Sequence, residues 1–289
     1  YEYLEMRFNL ATRIYGSMSF AIFQLGRMAI VLYLPAIAMS AATGINIYFC
    51  IIAMGVLATL YTVLGGIEAV IWTDVIQSVV LLAGAILALG LIIMNIDGGV
   101  GTIIDMASEA DKFRIVNPGW DASEKVLWVI VIGGIFSAAY PAMADQTVVQ
   151  RYLATGSSKE ASKALWVNAL MTLPMQLLFF GMGTALWVYY TNHPAALPDD
   201  LQNDAILPLF VIQQFPAGLK GLLISGLFAA SMSSLDSSMN SLASVLVNDY
   251  YKRFFANATE DKALFLARVT TLILGAIGVL AAVYVAQSG

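Results

Sequence analysis

Long apolar stretches follow one another along almost the whole chain, and polar connections separate them. A helix needs about 20 apolar residues to cross the hydrocarbon core of a bilayer. The strands of a membrane barrel are shorter and alternate in polarity. The pattern therefore predicts an all-α polytopic membrane protein with about seven transmembrane helices. The predicted spans cover residues 14–42, 45–64, 68–94, 126–150, 163–190, 219–248 and 266–287.

Several features interrupt this regular pattern. The stretch 205–215 (AILPLFVIQQF) is apolar but too short to span, which predicts a re-entrant or surface-lying helix. Gly65 and Gly66 predict a tight turn between the second and third spans, because glycine permits positive φ and close approach of the backbone. Pro141 lies inside the fourth span and predicts a kink there, since proline removes a backbone hydrogen bond.

Composition and charge agree with a membrane protein. Hydrophobic residues make up 60% of the 289 and charged residues only 11%, against about 25% charged in soluble domains. Most Lys and Arg residues fall in the connections on one side of the predicted spans, which the positive-inside rule assigns to the cytoplasm. No basic patch accompanies the net charge of −5, so nucleic acid is not an expected partner. The chain begins and ends within this pattern. We therefore interpret residues 1–289 as part of a single transmembrane domain of a longer protein.

The residues that usually carry catalysis are scarce. The single cysteine, Cys50, lies in an apolar run, which excludes a disulfide framework and a thiolate metal cluster. The single histidine, His193, lies in a polar connection and is interpreted as a loop residue. The spans contain no histidine and no acidic residues clustered at metal-ligand spacing, so an enzyme is not expected.

Arg27 is a charged residue deep inside the first predicted span. A charge at the centre of a spanning helix costs about 2.5–3.5 kcal/mol even on the lenient insertion scale. Arg27 follows the start of the span by roughly 20 Å of helix, which is a long distance for its side chain to reach water. Two interpretations are open. Arg27 is a structural residue whose side chain is bound by carbonyl groups or by a buried acid, or it is a binding group for an anion. The planar guanidinium fork matches a carboxylate.

Asp74 and a serine-rich stretch carry the other polar groups within the spans. Asp74 lies about six residues into the third span and is either an interfacial acid or a ligand of a cation. The sixth span contains AASMSSLDSSMNSLAS, which includes Asp236, and helical spacing places part of its serines on one face. Those serines are Ser233, Ser237, Ser241 and Ser244.

Small residues often serve only to let membrane helices pack closely. The number of oxygens in the sixth span, with an acid among them, exceeds that need. Na⁺ is a hard cation that prefers hydroxyl, carbonyl and carboxylate oxygens. Asp74 and the segment from Ser233 to Ser237 are predicted at compatible depths in the bilayer, so they could share one cation.

Four sequence blocks together resemble the sodium:solute symporter family. They are YEYLEMRFN, LYTVLGGIEAVIWTDVIQ, DQTVVQRYL and SMSSLDSSMNSL, which begin at Tyr1, Leu60, Asp145 and Ser231. The resemblance covers essentially the whole chain. It implies an inverted-repeat fold like that of the amino-acid transporter LeuT, working by alternating access. On that map the spans correspond to core helices three to nine, and the first two core helices and the tenth lie outside the segment.

The resemblance also implies two positions for the coupling ion, Na⁺, and no organic cofactor. The residues that match the main sodium site of the family are Ala230, Ser233 and Ser234. A second sodium site, found in some members, is matched by Asp74, Ser233 and Ser237. Asp236 stands where those members often have a small hydroxyl residue, so its charge either strengthens the second site or points elsewhere.

The LGRMAIVLYLP stretch is most similar to the bacterial sodium/sialic acid symporters, in which an arginine at the position of Arg27 binds the substrate carboxylate. The stretch AAYPAMADQ, with Pro141 in place of an aromatic run, counts against a sugar as substrate. The sequence thus predicts sodium-coupled symport of a small carboxylated solute, with sialic acid as the favoured substrate, in a bacterial inner membrane. Two alternatives stay open: a sodium symporter for another carboxylate, amino acid or sugar, and a non-transporting membrane sensor.

Overall fold

The computed structural model describes the chain except for residues 115, 116, 118, 122–125, 199, 200, 202, 256–258 and 289. Every regular element in the described part of the chain is helical. The helices are α1 (Glu2–Arg7), α2 (Leu10–Thr43), α3 (Ile47–Met94), α4 (Gly99–Glu109), α5 (Leu127–Ala144), α6 (Gln146–Leu153), α7 (Ser158–Asn192), α8 (Ile206–Gln214), α9 (Ala217–Val245), α10 (Lys252–Phe254) and α11 (Glu260–Ser288).

Five helical stretches in the described residues are long and apolar enough to cross a membrane, and a bent pair of shorter helices makes a sixth. The five are α2, α3, α7, α11 and the stretch Gly218–Phe254, which contains α9. The all-α prediction is confirmed. The structure thus gives five or six spans where the sequence predicts about seven, because the predicted spans 45–64 and 68–94 lie in the 48 residues of α3, on either side of an internal break.

The break in α3 lies at Gly66. Its backbone has φ 57° and ψ −148°, a conformation that residues with a Cβ rarely adopt. A Cβ at Gly65 would overlap the side chain of Ala69, so this position also requires glycine. The predicted turn is therefore present at Gly66, as a kink that separates two helical arms. We refer to residues 47–65 as the first arm of α3 and to residues 67–94 as the second arm.

The predicted fourth span divides into α5 and α6, whose axes differ by 55°. α5 continues past Pro141 to Ala144, and the extended residue is Asp145, with φ −77° and ψ 115°. The Asp145 carboxylate accepts a hydrogen bond of 2.8 Å from the backbone N–H of Thr147 and so caps α6. The predicted kink exists, but a helix N-cap downstream of the proline ends α5. The short helix at 205–215 is also present, as the nine residues of α8.

The contacts group the helices into two compact units, one formed by residues 1–84 with the described part of 199–289, and one by residues 85–198. In the first unit, α2 packs against α9 and α11 around a buried apolar core. Its largest fully buried side chains include Met28, Leu32, Met54 and Met239. Gly275 of α11 approaches α3 so closely that a Cβ there would overlap Thr59. This core holds α2, α3 and α9 together, and all of the predicted site residues lie on these three helices.

A cluster of charged residues joins α1, the start of α2 and the end of the α9 stretch. Arg13 donates hydrogen bonds of 2.9 and 2.7 Å to Oδ1 of Asp249 and one of 2.6 Å to Glu5. Asp249 lies in the π-helical segment Leu246–Tyr251. Glu5 also accepts a hydrogen bond of 2.7 Å from Arg253. The two guanidinium groups lower the pKa of Glu5 to about 2, so the carboxylate stays ionised at any pH near neutrality.

We expect Asp249→Asn to destabilise the full-length protein much more than Arg253→Gln. The side chains of Arg13 and Asp249 are 8% and 6% exposed, and removing one partner of a buried pair costs about 3–5 kcal/mol. The Arg253 side chain is 43% exposed, and exposed ion pairs contribute about 0–1 kcal/mol. Thermal unfolding of the two purified variants in detergent checks this. Equal losses of stability would contradict the assignment of Asp249 as the buried anchor of the cluster.

Candidate functional site

Arg27 lies on α2, about four helical turns after Arg13, and is half-buried. Its side chain lines a mostly apolar groove of about 400 Å³ along one face of the helix. The other lining residues are Ile22, Phe23, Gly26, Ile30 and Val31. The guanidinium is thus the polar group of an otherwise apolar groove, which is a typical arrangement for recognition of a ligand that carries one charged group.

The guanidinium of Arg27 has no hydrogen-bond or ion-pair partner among the residues that the structure describes. The contrast with Arg13 on the same helix is clear, because Arg13 binds two carboxylates and a carbonyl. The sequence left two interpretations of Arg27 open. The first, a structural arginine bound by a buried acid or by carbonyls, is not observed among the residues that the structure describes. Its planar fork of donors is free to bind an anion.

Asp74 and Ser233 meet in the first unit. Asp74 lies on the second arm of α3 and accepts a hydrogen bond on Oδ1 from the Ser233 hydroxyl of α9. These residues are 159 positions apart in the sequence. The second arm and α9 run antiparallel, since Gly84 approaches Leu223 at the other end of the same contact. This hydrogen bond joins two residues that the sequence predicts at compatible depths in the bilayer.

Several other serine hydroxyls of α9 donate to backbone carbonyls one turn earlier in the helix. Ser237 Oγ donates to Ser233 O at 2.7 Å, and Ser234 Oγ lies 3.3 Å from Ala230 O. Ser241 repeats the pattern on Ser237 O at 2.7 Å. A hydroxyl has one hydrogen and two lone pairs. When its hydrogen is directed to the helix backbone, the hydroxyl presents oxygen lone pairs, which are the groups that bind a cation.

Asp236 is close to the serine face, but it also has a hydrogen-bond partner on another helix. Its side chain is fully buried, and Oδ2 accepts a hydrogen bond of 2.5 Å from the hydroxyl of Tyr61 on the first arm of α3. Its Oδ1 lies 3.2 Å from Ser237 Oγ. Asp236 therefore points partly toward the first arm and partly toward the serine face that carries Ser233 and Ser237.

One hydrogen bond connects the helix of Arg27 directly to α9. Ser231 Oγ donates to Val31 O at 2.6 Å, one helical turn after Arg27. Ser231 precedes Ser233 by two residues, so the arginine groove and the serine face are built on two helices that are in contact here. Met28 and Leu235 approach the same glycine of α11, Gly278, and extend this contact.

The sequence analysis missed two polar residues near this region, the half-buried Tyr61 and the buried Gln24. Tyr61 was interpreted only as part of a family block before the turn, although it binds Asp236. Gln24, one turn before Arg27, is fully buried, and neither of its amide atoms has a hydrogen-bond partner among the described residues. The signal for both was a polar group within an apolar span, the same signal that identified Arg27 and Asp74.

Comparisons with known proteins give consistent matches. The profile of the sodium:solute symporter family matches residues 1–289. The sodium/sialic acid symporter NanT of Aliivibrio fischeri is 42% identical over 289 residues, and the corresponding symporter SiaT of Proteus mirabilis is 38% identical over 290. A solved structure of a Na⁺-coupled sialic acid symporter, in a substrate-bound outward-open state, superposes with a TM-score of 0.96 at 37% identity.

These matches cover 100% of the chain but only part of the relatives. The chain spans 57% of NanT, 58% of SiaT and 62% of the protein in the solved structure. At this identity and TM-score the fold is the LeuT-like fold of that symporter. The predicted fold class is confirmed.

Proposed function

Since the chain belongs to the sodium:solute symporter family, we propose that its full-length protein carries a small carboxylated solute, sialic acid, into the cell together with sodium ions. The observation that carries the proposal is the half-buried guanidinium of Arg27, which has no partner among the described residues and lines an apolar groove. Both relatives with the highest identities reported above are named as sodium/sialic acid symporters. They support this substrate over other carboxylates.

The oxygen-rich face of α9 is the proposed place for sodium. Ala230, Ser233 and Ser234 would hold the main ion, through a carbonyl and two hydroxyl oxygens. Their hydrogen bonds support this, because each hydroxyl hydrogen is directed to the protein and leaves lone pairs available. Asp74 and Ser237, with Asp236, would hold a second ion. Two carboxylates on one cluster of hydroxyls supply the negative charge that a dehydrated cation needs.

Sodium and substrate would be coupled through the contact between α2 and α9. The bond from Ser231 to Val31 O ties the helix of the proposed anion clamp to the helix of the proposed sodium ligands. Any factor by which sodium tightens substrate binding must equal the factor by which substrate tightens sodium binding. Alternating access then releases both on the cytoplasmic side, with the apolar exteriors of the helices in contact with lipid of a bacterial inner membrane.

A membrane sensor on the same scaffold is the second candidate. It would bind the same ligands, and the same residues would serve it, but it would not move solute across the bilayer. The two candidates therefore differ in flux and not in binding.

We expect the full-length protein, reconstituted in proteoliposomes, to accumulate radiolabelled sialic acid when an inward sodium gradient is applied, and not when potassium replaces sodium. Uptake should depend on the gradient because the ions supply the free energy. Sodium-driven uptake of another carboxylate in place of sialic acid would retain symport and overturn the substrate. Binding of sialic acid without sodium-coupled flux would favour the sensor.

A further inference from the structure

The carboxylate of Asp236 is buried within the proposed sodium region, and its orientation depends on the residues that surround it. A fully buried carboxylate is costly unless donors surround it, and Asp236 is 0% exposed. Its oxygens have separate partners: Oδ2 accepts from Tyr61 Oη at 2.5 Å, and Oδ1 lies 3.2 Å from Ser237 Oγ. The two oxygens thus face two different helices, and the tyrosine fixes which oxygen faces which.

The side chain of Tyr61 extends from α3 to Asp236 on α9. It lies on the first arm of α3, five residues before the kink at Gly66, and its ring crosses to α9. The Gln77 side chain, on the second arm, also lies close to the Tyr61 hydroxyl. The hydroxyl is therefore bonded to α9, close to the turn of α9 that carries Ser233 and Ser237, and the second arm of α3 lies nearby.

Asp74 approaches the same turn of α9 from the second arm. It accepts from Ser233 Oγ, and Ser237 Oγ donates to Ser233 O, so a continuous chain of contacts joins Asp74 to Ser237 and on to Asp236. The two carboxylates are close enough to interact electrostatically. Like charges in a medium of low dielectric repel strongly. Without a fixed donor on one side, Asp236 would be free to turn away from Asp74 and from the serine face.

We propose that Tyr61 is a positioning residue for the second sodium position: it binds Oδ2 of Asp236 and so presents Oδ1 beside Ser237, on the same turn of α9 that Asp74 contacts. This inference rests on the proposed function, because it concerns how tightly that function's second sodium is held. Tyr61 itself does not touch the ion. The donated hydrogen bond also compensates the burial of the Asp236 carboxylate.

The test is a double-mutant cycle on the purified full-length protein, with equilibrium binding of radiolabelled sodium as the readout. We expect Tyr61→Phe to weaken the second sodium by about tenfold, the effect of one lost hydrogen bond to a charged group, and to leave the first sodium unchanged. In the Asp236→Ser background, the same change should alter sodium binding by less than about twofold, because no carboxylate remains to be oriented. The exposed Tyr48, on the same arm, supplies the matched control Tyr48→Phe, which should bind like the wild type.

Three outcomes are decisive. Additive effects of Tyr61→Phe and Asp236→Ser would overturn the proposal, as would a Tyr61→Phe variant that binds both ions normally. A Tyr61→Phe variant with lower thermal stability but unchanged sodium affinity would make Tyr61 merely structural, and would also overturn it. Because the readout is sodium binding, a wild type that binds two sodium ions but carries no sialic acid overturns the proposed substrate and leaves this test intact.

Discussion

Arg27→Ala is expected to abolish sodium-driven uptake of sialic acid, with no measurable accumulation above the level of empty proteoliposomes. The guanidinium is the cationic group of its groove, and its donors have no partner among the residues that the structure describes. A charge-assisted bidentate pair is the strongest polar contact that a carboxylate can make with a side chain. Removing it leaves the bound carboxylate unpaired in apolar surroundings, which costs several kcal/mol (roughly a thousandfold in affinity).

Arg27→Lys refines this result. The lysine retains the charge but loses the planar fork, so we expect transport with a KM about ten- to a hundredfold higher. The matched control is Arg268→Ala, which removes the same charge from an exposed position on α11. Uptake should be measured per molecule of protein in the membrane. Wild-type transport by both Arg27 variants would make Arg27 structural and would remove the main support for a carboxylated substrate.

Asp74→Asn is expected to raise the sodium concentration that gives half-maximal uptake by on the order of tenfold, which corresponds to about 1.4 kcal/mol. The asparagine retains the shape and can still accept from Ser233, but it lacks the negative charge that attracts a cation into the low-dielectric interior. The sodium titration should be repeated at saturating and at low substrate. Because binding of the two ligands is linked, weaker sodium binding should also raise the substrate concentration needed at low sodium.

The control for Asp74→Asn is Asp105→Asn, which removes a charge from an exposed position of α4. Its sodium dependence should equal that of the wild type. If Asp74→Asn also kept the sodium dependence of the wild type, Asp74 would be an interfacial acid that orders α9 through Ser233, and the second sodium position would lose its first ligand.

The spans could be predicted because a bilayer imposes one solution on the backbone. Every N–H and C=O group in hydrocarbon must be bonded within the segment, so long apolar stretches such as 266–287 become helices regardless of their neighbours. The compatible depths of Asp74 and Ser233 could be predicted for a similar reason, since the rise of a helix sets the distance along the membrane normal. The lateral packing of α3 against α9 then brings these residues, 159 positions apart, into hydrogen-bond contact.

Lateral neighbours could not be predicted in the same way. Tyr61 meets Asp236, 175 positions away, only because α3 bends at Gly66 and packs both arms near α9. The linear pattern gives the depth of Tyr61 but not the direction in which its ring points. The break in the fourth span lies at Asp145, four residues after the kink predicted at Pro141, for a related reason. Proline weakens a helix where it stands, but the helix ends where a side chain such as Asp145 can cap the next one.

The polar face of α9 has a consequence for how the protein is made. The most apolar part of the stretch Gly218–Phe254, which includes most of α9, has a mean hydropathy of 1.3. This is the lowest value among the five membrane-length helical stretches in the described residues. An aspartate at mid-helix adds about 2.5–3.5 kcal/mol to the cost of entering lipid alone. During biogenesis, α9 should therefore leave the translocon together with α2 and α3, whose carbonyl at Val31 and hydroxyl at Tyr61 already bind its polar groups. Substitution of Ser231 or Tyr61, whose side chains make these contacts, would then lower the amount of protein inserted in the membrane as well as its activity.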